Sequence, residues 1–485
     1  MKKVLETMSL KRPVLPNAPA HVHLMGIGGT GISALAGLFH STGVRVSGSD
    51  QSIYPPVSDF LNDLGIHVME GYYAGNLQPP PDLVVVGNVI RRTNPEAIAM
   101  VESGIPYASL PESLNQYFIK DNVCLVVTGT HGKTTVSSML AWILHENGLD
   151  PSFVIGGIAN NFESNYRLGK GSFFIVEGDE YDTAYFDKRP KFLHYSPHIG
   201  LVTSCEFDHA DIYDSLHTIQ QQFLSFTYLI HEGGCLVANR DDATVRQIIT
   251  KSKVSVKTYG TAAGADLVLA SFQDTTKGMK LTILKDGVAE HSGTLPVMGV
   301  HNSLNVLAAV AASEAVGIEF SRALSSLESF NGVARRQQIV GEKSGILIID
   351  DFAHHPTAVR ETCAAVRSRF PNRRVVAVFE PRSNTSRRSV FQKLYVPAFL
   401  SADLIVLREP VHRDGSDESD IFNSHMLASD LNLRGKNAYA FEDTEGVLHY
   451  LLNSLKTGDV VLLMSNGSFD GLSLRLLGSL GENTR

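Results

Sequence analysis

Four cysteines in 485 residues, Cys124, Cys205, Cys235 and Cys363, stand far apart and show no spacing of a metal knuckle or a redox pair. Cys124 and Cys235 sit inside apolar runs and read as small buried hydrophobes, a usage that fits a reducing cytoplasm. No apolar stretch reaches the roughly 20 residues that a membrane helix needs, so membrane insertion is not expected. The first twenty residues carry Lys2, Lys3, Glu6, Lys11 and Arg12 and lack the continuous apolar segment of a signal peptide. They predict a loose tail. Positive charge is not in excess either: 42 Lys and Arg stand against 50 Asp and Glu, for a net charge of −8. That balance argues against a nucleic-acid or anionic-membrane partner. Solenoid repeats and low-complexity segments are also missing. What remains is a soluble cytoplasmic protein, long enough for about three domains.

What the chain has in quantity is alternation. Short β-like runs and helical patterns take turns along most of its length, which predicts an α/β protein with parallel sheets. The first block opens with a strand over residues 21–25, turns through glycines, and continues as a helix to about Ser41. Later strands of that block lie over 44–46 and 83–86, and a boundary falls near 117–122. The second block has central strands over 123–127, 173–176, 201–203 and 235–238. Residues 266–300 change character, and the alternation at 280–284 with the turn Lys285-Asp286-Gly287 predicts a hairpin-rich insert. Helices over 305–315 and 320–327 follow. The third block has strands over 346–349, 375–379, 404–407 and 460–463, a further doubly wound unit. Its charged segment 408–420 reads as a surface excursion.

The most informative stretch is Gly129-Thr130-His131-Gly132-Lys133-Thr134-Thr135. It follows the apolar run 123–127 and opens a helix over 134–145. Strand, glycine turn and helix make a phosphate cradle, in which backbone N–H groups and the helix dipole face an anion and Lys133 adds a point charge. Thr134 sits where a hydroxyl can hold Mg²⁺. The first glycine of the general pattern would fall at Val127, so the loop is a shortened variant. These residues predict ATP binding.

A second glycine cluster, Gly26-Ile27-Gly28-Gly29-Thr30-Gly31, lies between strand and helix, with Asp50 at the spacing of a ribose contact. It licenses a nucleotide or pyrophosphate but not hydride chemistry. Glu177-Gly-Asp-Glu180 follows the strand 173–176, at a carboxyl edge where carboxylates can complete a Mg²⁺ shell. His209, between Glu206, Asp208 and Asp211, serves either as a metal ligand or as an ion-pair partner. Asn302 and Asn305 fall on one helix face and either present amides to an adenine edge or, for Asn302, cap the helix. Arg335-Arg336 suits a γ-phosphate. Asp350-Asp351, with His354 and His355, ends the strand 346–349 in a cluster rarely structural alone.

In this order and together, these segments resemble the Mur ligase family of ATP-dependent peptide-bond-forming enzymes. The resemblance implies an α/β, three-domain architecture. After the tail 1–20, residues 21–118 form a Rossmann-like UDP-sugar binder, 119–328 a central P-loop ATPase, and 329–485 a Rossmann-like domain closing over the site. It implies ATP and Mg²⁺ as cofactors, with Lys133, Glu177, His209 and Arg336 in the chemistry and Thr134, Glu177 and His209 on metal. Residues 129–135, Asn302, Asn305, Arg335, Arg336 and Asp351 would hold ATP, with Asp351 on the ribose. Gly26, Gly28, Gly29, Thr30, Gly31 and Asp50 would serve the UDP-sugar. His354, His355 and Arg382 are candidates for the peptide side.

Within the family, four wordings are similar to members that act on UDP-N-acetylmuramate itself: Tyr181-Asp-Thr-Ala-Tyr-Phe-Asp-Lys-Arg189, Lys191-Phe-Leu-His-Tyr195, Glu380-Pro-Arg-Ser-Asn-Thr385 and Met464-Ser-Asn-Gly467. They look nearest to those joining it to the murein tripeptide L-alanyl-γ-D-glutamyl-meso-diaminopimelate in wall recycling, with L-alanine the alternative acceptor. One departure stands out. Several family members carry a carbamylated lysine after the histidine loop, whereas residues 210–231 contain no lysine and place Gln220, Gln221 and Gln222 there. Two rivals of other classes are a nicotinamide-dependent oxidoreductase, which leaves the 129–135 loop unexplained, and a P-loop switch without ligase chemistry.

Overall fold

The computed structural model describes residues 12–275, 277–411 and 421–481. Within them the chain forms three large sheets, each with its own helices, and a two-stranded antiparallel ribbon of Asp182–Ala184 and Asp187–Pro190. Most of the expected surface excursion, residues 412–420, lies outside the described residues, as do residues 1–11 of the expected tail.

The first sheet has five parallel strands, ordered His67–Glu70, Arg45–Asp50, His21–Met25, Leu83–Val86 and Tyr107–Ser109. Chain order reverses between His21–Met25 and Leu83–Val86, so the glycine loop at Gly26 sits at the switch point, where open parallel sheets bind ligands. Helix Thr30–Ser41 has Gly29 as N-cap with no side-chain cap bond, which leaves its first N–H groups free to face an anion.

The central sheet has ten strands. Its middle runs Ser255–Gly260, Cys235–Asn239, Ile199–Val202, Val123–Thr128, Phe173–Glu177 and Ser152–Ala159, all parallel. Val123–Thr128 is covered on both faces, which explains its unbroken apolar run. Helices Lys133–Glu146 and Val300–Ala315 bury Val136, Leu140, Val306 and Val310 against one face. Phe223 and Phe226 of Leu216–Thr227 belong to a core continuous with that of the first sheet. The expected hairpin insert is present, but it does not stand apart. Leu267–Thr275 joins Ser255–Gly260 in parallel, and Gly278–Lys285 and Val288–His291 extend the edge of this same sheet antiparallel. Asp286 and Gly287, at φ 51° and 79°, make the two-residue turn with both residues left-handed.

The third sheet is ordered Gln338–Lys343, Ile346–Asp351, Asp459–Met464, Arg374–Phe379, Leu404–Arg408 and Asn437–Phe441, parallel except for its first strand. The carboxyl ends of its three middle strands carry Asp350, Asp351, Ser465 and Glu380, and this rim faces the central sheet. No helix among the described residues is long and apolar enough to cross a membrane.

Candidate active site

The glycines of the 129–135 loop are dictated by close approach. Gly129 has φ 128°, and a Cβ there would meet Thr203 Oγ1 at 2.1 Å. Gly132 has φ 84°, and a Cβ there would meet Asn305 Oδ1 at 2.5 Å. The turn is held from the neighbouring strand end: the Thr130 N–H donates to the Ser204 carbonyl (3.1 Å) and the His131 N–H to Ser204 Oγ (2.9 Å). Gly132 caps helix Lys133–Glu146 without a side-chain bond, so the helix N-terminus is open to a ligand.

Lys133 Nζ donates to the Gly129 carbonyl (2.7 Å) and to both oxygens of Glu180 (3.0 and 2.7 Å). Burial works against the ammonium, but Glu180, Asp179 and Glu177 outweigh it and raise its pKa. Glu180 Oε1 also lies 2.9 Å from His209 Nε2, and the Glu180 carbonyl accepts from the Tyr213 hydroxyl at 2.6 Å. Burial opposes the His209 charge as well, and Glu180 again overcomes it, so the histidine pKa is raised. The two sequence alternatives for His209 meet here. Its Nε2 makes the ion pair, while its buried Nδ1 has no partner among the described residues. A buried, unpaired nitrogen beside carboxylates fits a ligand position for a cation.

Glu177 accepts from Thr134 Oγ1 (3.1 Å) and from the Gly156 N–H (2.7 Å). Burial pushes its carboxyl up in spite of Lys133. Hydroxyl and carboxylate thus stand together as hard oxygen donors, a set that fits Mg²⁺. From the third domain, Arg336 Nη2 donates to Thr134 Oγ1 at 3.2 Å, with its guanidinium over the Phe352 ring.

These groups line one cavity of about 570 Å³ between the central and third domains, together with Thr130, His131, Asn302, Asn305, Asp351, His354 and His355. Other expected site residues lie elsewhere. Arg335, at φ 58°, is anchored on the carbonyls of Ser465 and Gly467 and does not line the cavity. Arg382 packs its stem over Gly467, with a 3.4 Å contact to Glu380, while its neighbour Ser383 reaches the cavity. The 26–31 loop belongs to the first domain, away from this cavity. There Asp50, expected at a ribose, accepts from the Gly28 N–H (2.8 Å), the Gln51 N–H (2.7 Å) and the Tyr72 hydroxyl (3.3 Å). Its oxygens close the glycine turn.

The capping alternative for Asn302 does not hold: the N-cap is Gly299, and Asn302 is inside helix Val300–Ala315. Its amide donates to Gln337 Oε1 (2.9 Å) and its carbonyl oxygen accepts from Asn305 (3.0 Å). Asp351, expected at the ATP ribose, accepts from the N–H groups of Gln337 and Ala353, both at 2.7 Å. Gln220 bonds Gln247 at the surface and takes no part in the cavity. Gln337 and Glu180 also line the cavity, beyond the residues singled out one by one from the sequence. Gln337 carries no motif signal, whereas Glu180 was visible within Glu177-Gly-Asp-Glu180.

Residues 21–120 match the Mur ligase family catalytic domain, residues 127–313 the Mur ligase middle domain, and residues 335–467 the Mur ligase glutamate ligase domain. Over 462 residues the chain is 37% identical to the UDP-N-acetylmuramate–L-alanyl-γ-D-glutamyl-meso-2,6-diaminoheptandioate ligase of Escherichia coli (strain K12), covering 95% of this chain and 98% of that one. A UDP-N-acetylmuramate–L-alanine ligase of Carboxydothermus hydrogenoformans is 34% identical, covering 94% and 96%. The crystal structure of a murein peptide ligase from Psychrobacter arcticus superposes with a TM-score of 0.71 at 31% identity, covering 96% of this chain and all of that one. With three domains matched in order and a relative this similar along nearly its whole length, the chain belongs to the Mur ligase family.

Proposed function

We propose that this chain is an ATP-dependent ligase joining the carboxylate of UDP-N-acetylmuramate to the amine of L-alanyl-γ-D-glutamyl-meso-diaminopimelate. The observation that carries the reaction class is the reach of Arg336 from the third domain to Thr134, beside Lys133 and Glu177. A charge brought across a domain boundary to a phosphate loop suits a transfer that proceeds only when the domains are closed. The choice of acceptor rests on the 37% identity to the tripeptide-adding ligase of Escherichia coli.

A carboxylate is a poor acyl donor, because its oxygen is a bad leaving group. Transfer of the γ-phosphoryl group of ATP gives an acyl phosphate and ADP, and attack by the amine then forms the amide and releases phosphate. Lys133 and the open N-terminus of helix Lys133–Glu146 would hold the ATP phosphates, and Arg336 would meet the charge that develops in transfer. Thr134 and Glu177 would hold Mg²⁺, with His209 Nδ1 facing a second cation. Bound there, the cations supply charge neutralisation between phosphate and carboxylate. Asn302 and Asn305 offer an amide pair to adenine, and Asp351 shapes the turn beside the ribose.

The 26–31 loop is assigned to the UDP-sugar. A Cβ on Gly28 would stand 2.9 Å from Asp50 Oδ2 and 3.0 Å from Ile53 Cγ2. Gly28→Val is therefore expected to weaken UDP-N-acetylmuramate binding while largely sparing ATP, as measured by separate titrations of each ligand. Equal loss of both would point to general misfolding.

The test of the whole reading is phosphate release with ATP, Mg²⁺ and UDP-N-acetylmuramate, with either tripeptide or L-alanine as acceptor. Tripeptide is expected to give the far higher kcat/KM; a faster turnover with L-alanine would replace this acceptor by the alternative. The 36% exposed side chain of Arg382, with Ser383 beside it on the cavity, supports assigning it to a peptide carboxylate. Arg382→Ala is expected to raise the tripeptide KM about tenfold or more with little change for ATP, since a hydrogen bond to a charged group contributes about 1.5–3 kcal/mol.

A further inference from the structure

We propose that Gln337 is a positioning residue: its amide latches the third domain onto helix Val300–Ala315 of the central one and so holds Arg336 at the phosphate loop. The role of Arg336 there rests on the ligase reading above; the latch itself does not.

A backbone carbonyl fixes the polarity of the latch, because it can only accept. Asn302 Nδ2 donates to the Met298 carbonyl at 3.0 Å, so that end of its amide is the NH₂. Gln337 meets the same NH₂ at 2.9 Å and must present Oε1 to it. Its own NH₂ is then left for His301 Nε2, 3.1 Å away. Burial holds the His301 pKa below its usual value, so the ring is neutral near pH 7 and Nε2 keeps a lone pair to accept with. The imidazole proton is thereby placed on Nδ1, a nitrogen without a partner among the described residues. Both ends of the Gln337 amide are thus used, and both on the central domain.

The change of domain falls on the three residues around Arg336. Just before them the chain is bonded to the central sheet: the Ala334 N–H donates to the Ile158 carbonyl (2.9 Å), and the Gly332 carbonyl accepts from the Asn160 N–H (3.1 Å). From Arg335 on it is bonded to the third domain. The Arg335 N–H donates to Gln338 Oε1 (2.8 Å), its guanidinium to the Ser465 carbonyl (2.7 Å), and the Gln337 N–H to Asp351 Oδ2 (2.7 Å). Arg335 and Gln337 both take a left-handed φ, 58° and 51°. Residues other than glycine keep that conformation only where their surroundings impose it.

Within residues 335–337, the side chains that cross back to the central domain are Gln337, on His301 and Asn302, and Arg336, on Thr134 Oγ1 at 3.2 Å. They are neighbours on one pinned turn, so the place where Gln337 is anchored sets the place where Arg336 arrives. Gln337 is only 9% exposed, which keeps most water from competing for its two bonds. Without the amide, the turn keeps its bonds inside the third domain but loses the tie nearest Arg336. The closed arrangement is then less populated, and transfer waits on closure.

The test uses the full chain with Gln337→Met, which keeps the side-chain length while deleting both amide bonds, and Gln337→Ala beside it. Small-angle scattering with ADP and Mg²⁺ is expected to show wild type more compact than either variant, a readout that needs no turnover. In phosphate release with UDP-N-acetylmuramate and tripeptide, each variant is expected to lose about tenfold in kcat with the ATP KM within about twofold, as for a contact made only on closure. In an Arg336→Lys background, Gln337→Met is expected to cost about threefold or less, because a residue acting through Arg336 has little left to act on. Melting curves establish that the variants are folded; if Gln337→Ala is not, Gln337→Met decides alone. Equal radii, an unchanged kcat, or the full loss repeated on top of Arg336→Lys each overturn the proposal. A raised ATP KM with kcat unchanged does so too, and makes Gln337 a nucleotide contact instead. Absence of phosphate release in wild type removes the ligase reading, while the scattering comparison still decides the latch.

Discussion

Lys133→Ala is expected to abolish phosphate release from ATP while the chain remains folded. The ammonium lies between Glu180 and the loop carbonyl of Gly129, at the start of a helix whose first N–H groups have no side-chain cap. Removing one preorganised charge from a developing anion costs about a hundredfold or more in kcat. Breaking a buried ion pair can also cost ~3–5 kcal/mol of stability by stranding the partner. Here the partner is not stranded, because Glu180 keeps His209 at 2.9 Å. The melting temperature should therefore fall modestly while activity disappears. A folded variant with near-wild-type phosphate release would remove the phosphate-loop assignment.

The same ion pair indicates where sequence reasoning reached and where it stopped. The loop at 129–135 was legible because its chemistry demands residue types: glycines where a Cβ would strike Thr203 or Asn305, a lysine, and a hydroxyl. The flanking strand was legible because both its faces are covered and its first five positions, Val123 to Val127, are apolar. Strand Ser152–Ala159 escaped notice for a related reason. Gly156 and Gly157 break its pattern, and a Cβ on Gly156 would lie 2.9 Å from the Glu177 carboxylate. The requirement that hides the strand also seats the acid.

Partnerships across domains were legible only through the family resemblance, which placed Arg336 in the chemistry. Nothing local separates Arg335 from Arg336, yet one is fixed on the carbonyls of Ser465 and Gly467 and the other reaches Thr134. A left-handed φ of 58° at Arg335 turns the two side chains apart, and a tertiary fold sets that angle. The spacing of Asp50 admits two roles. The distance that places an acid on a ribose also lets it close the glycine turn through Gly28 N–H. Asn302 misled by its type, because asparagine near a helix start favours capping, whereas Gly299 already occupies that position.

Glu177→Gln is the second large effect expected, and it separates metal binding from shape. The amide is close in size, and its oxygen can still accept from the Gly156 N–H while its NH₂ donates to Thr134 Oγ1. Both local hydrogen bonds therefore persist, and the fold with them. What disappears is a charge. Burial makes that carboxylate costly to keep ionised, with Lys133 and Arg336 as its nearby countercharges. A divalent cation at Thr134 and Glu177 would supply the missing compensation, and a neutral amide would hold it far less well. Turnover is expected to drop by about a hundredfold at ordinary Mg²⁺ and to recover in part as Mg²⁺ is raised, with the half-saturating Mg²⁺ concentration shifted upward. Titration of Mg²⁺ against phosphate release in both proteins gives the answer. An unchanged Mg²⁺ dependence with normal turnover would place Glu177 outside the metal shell and leave its buried charge to Lys133 and Arg336.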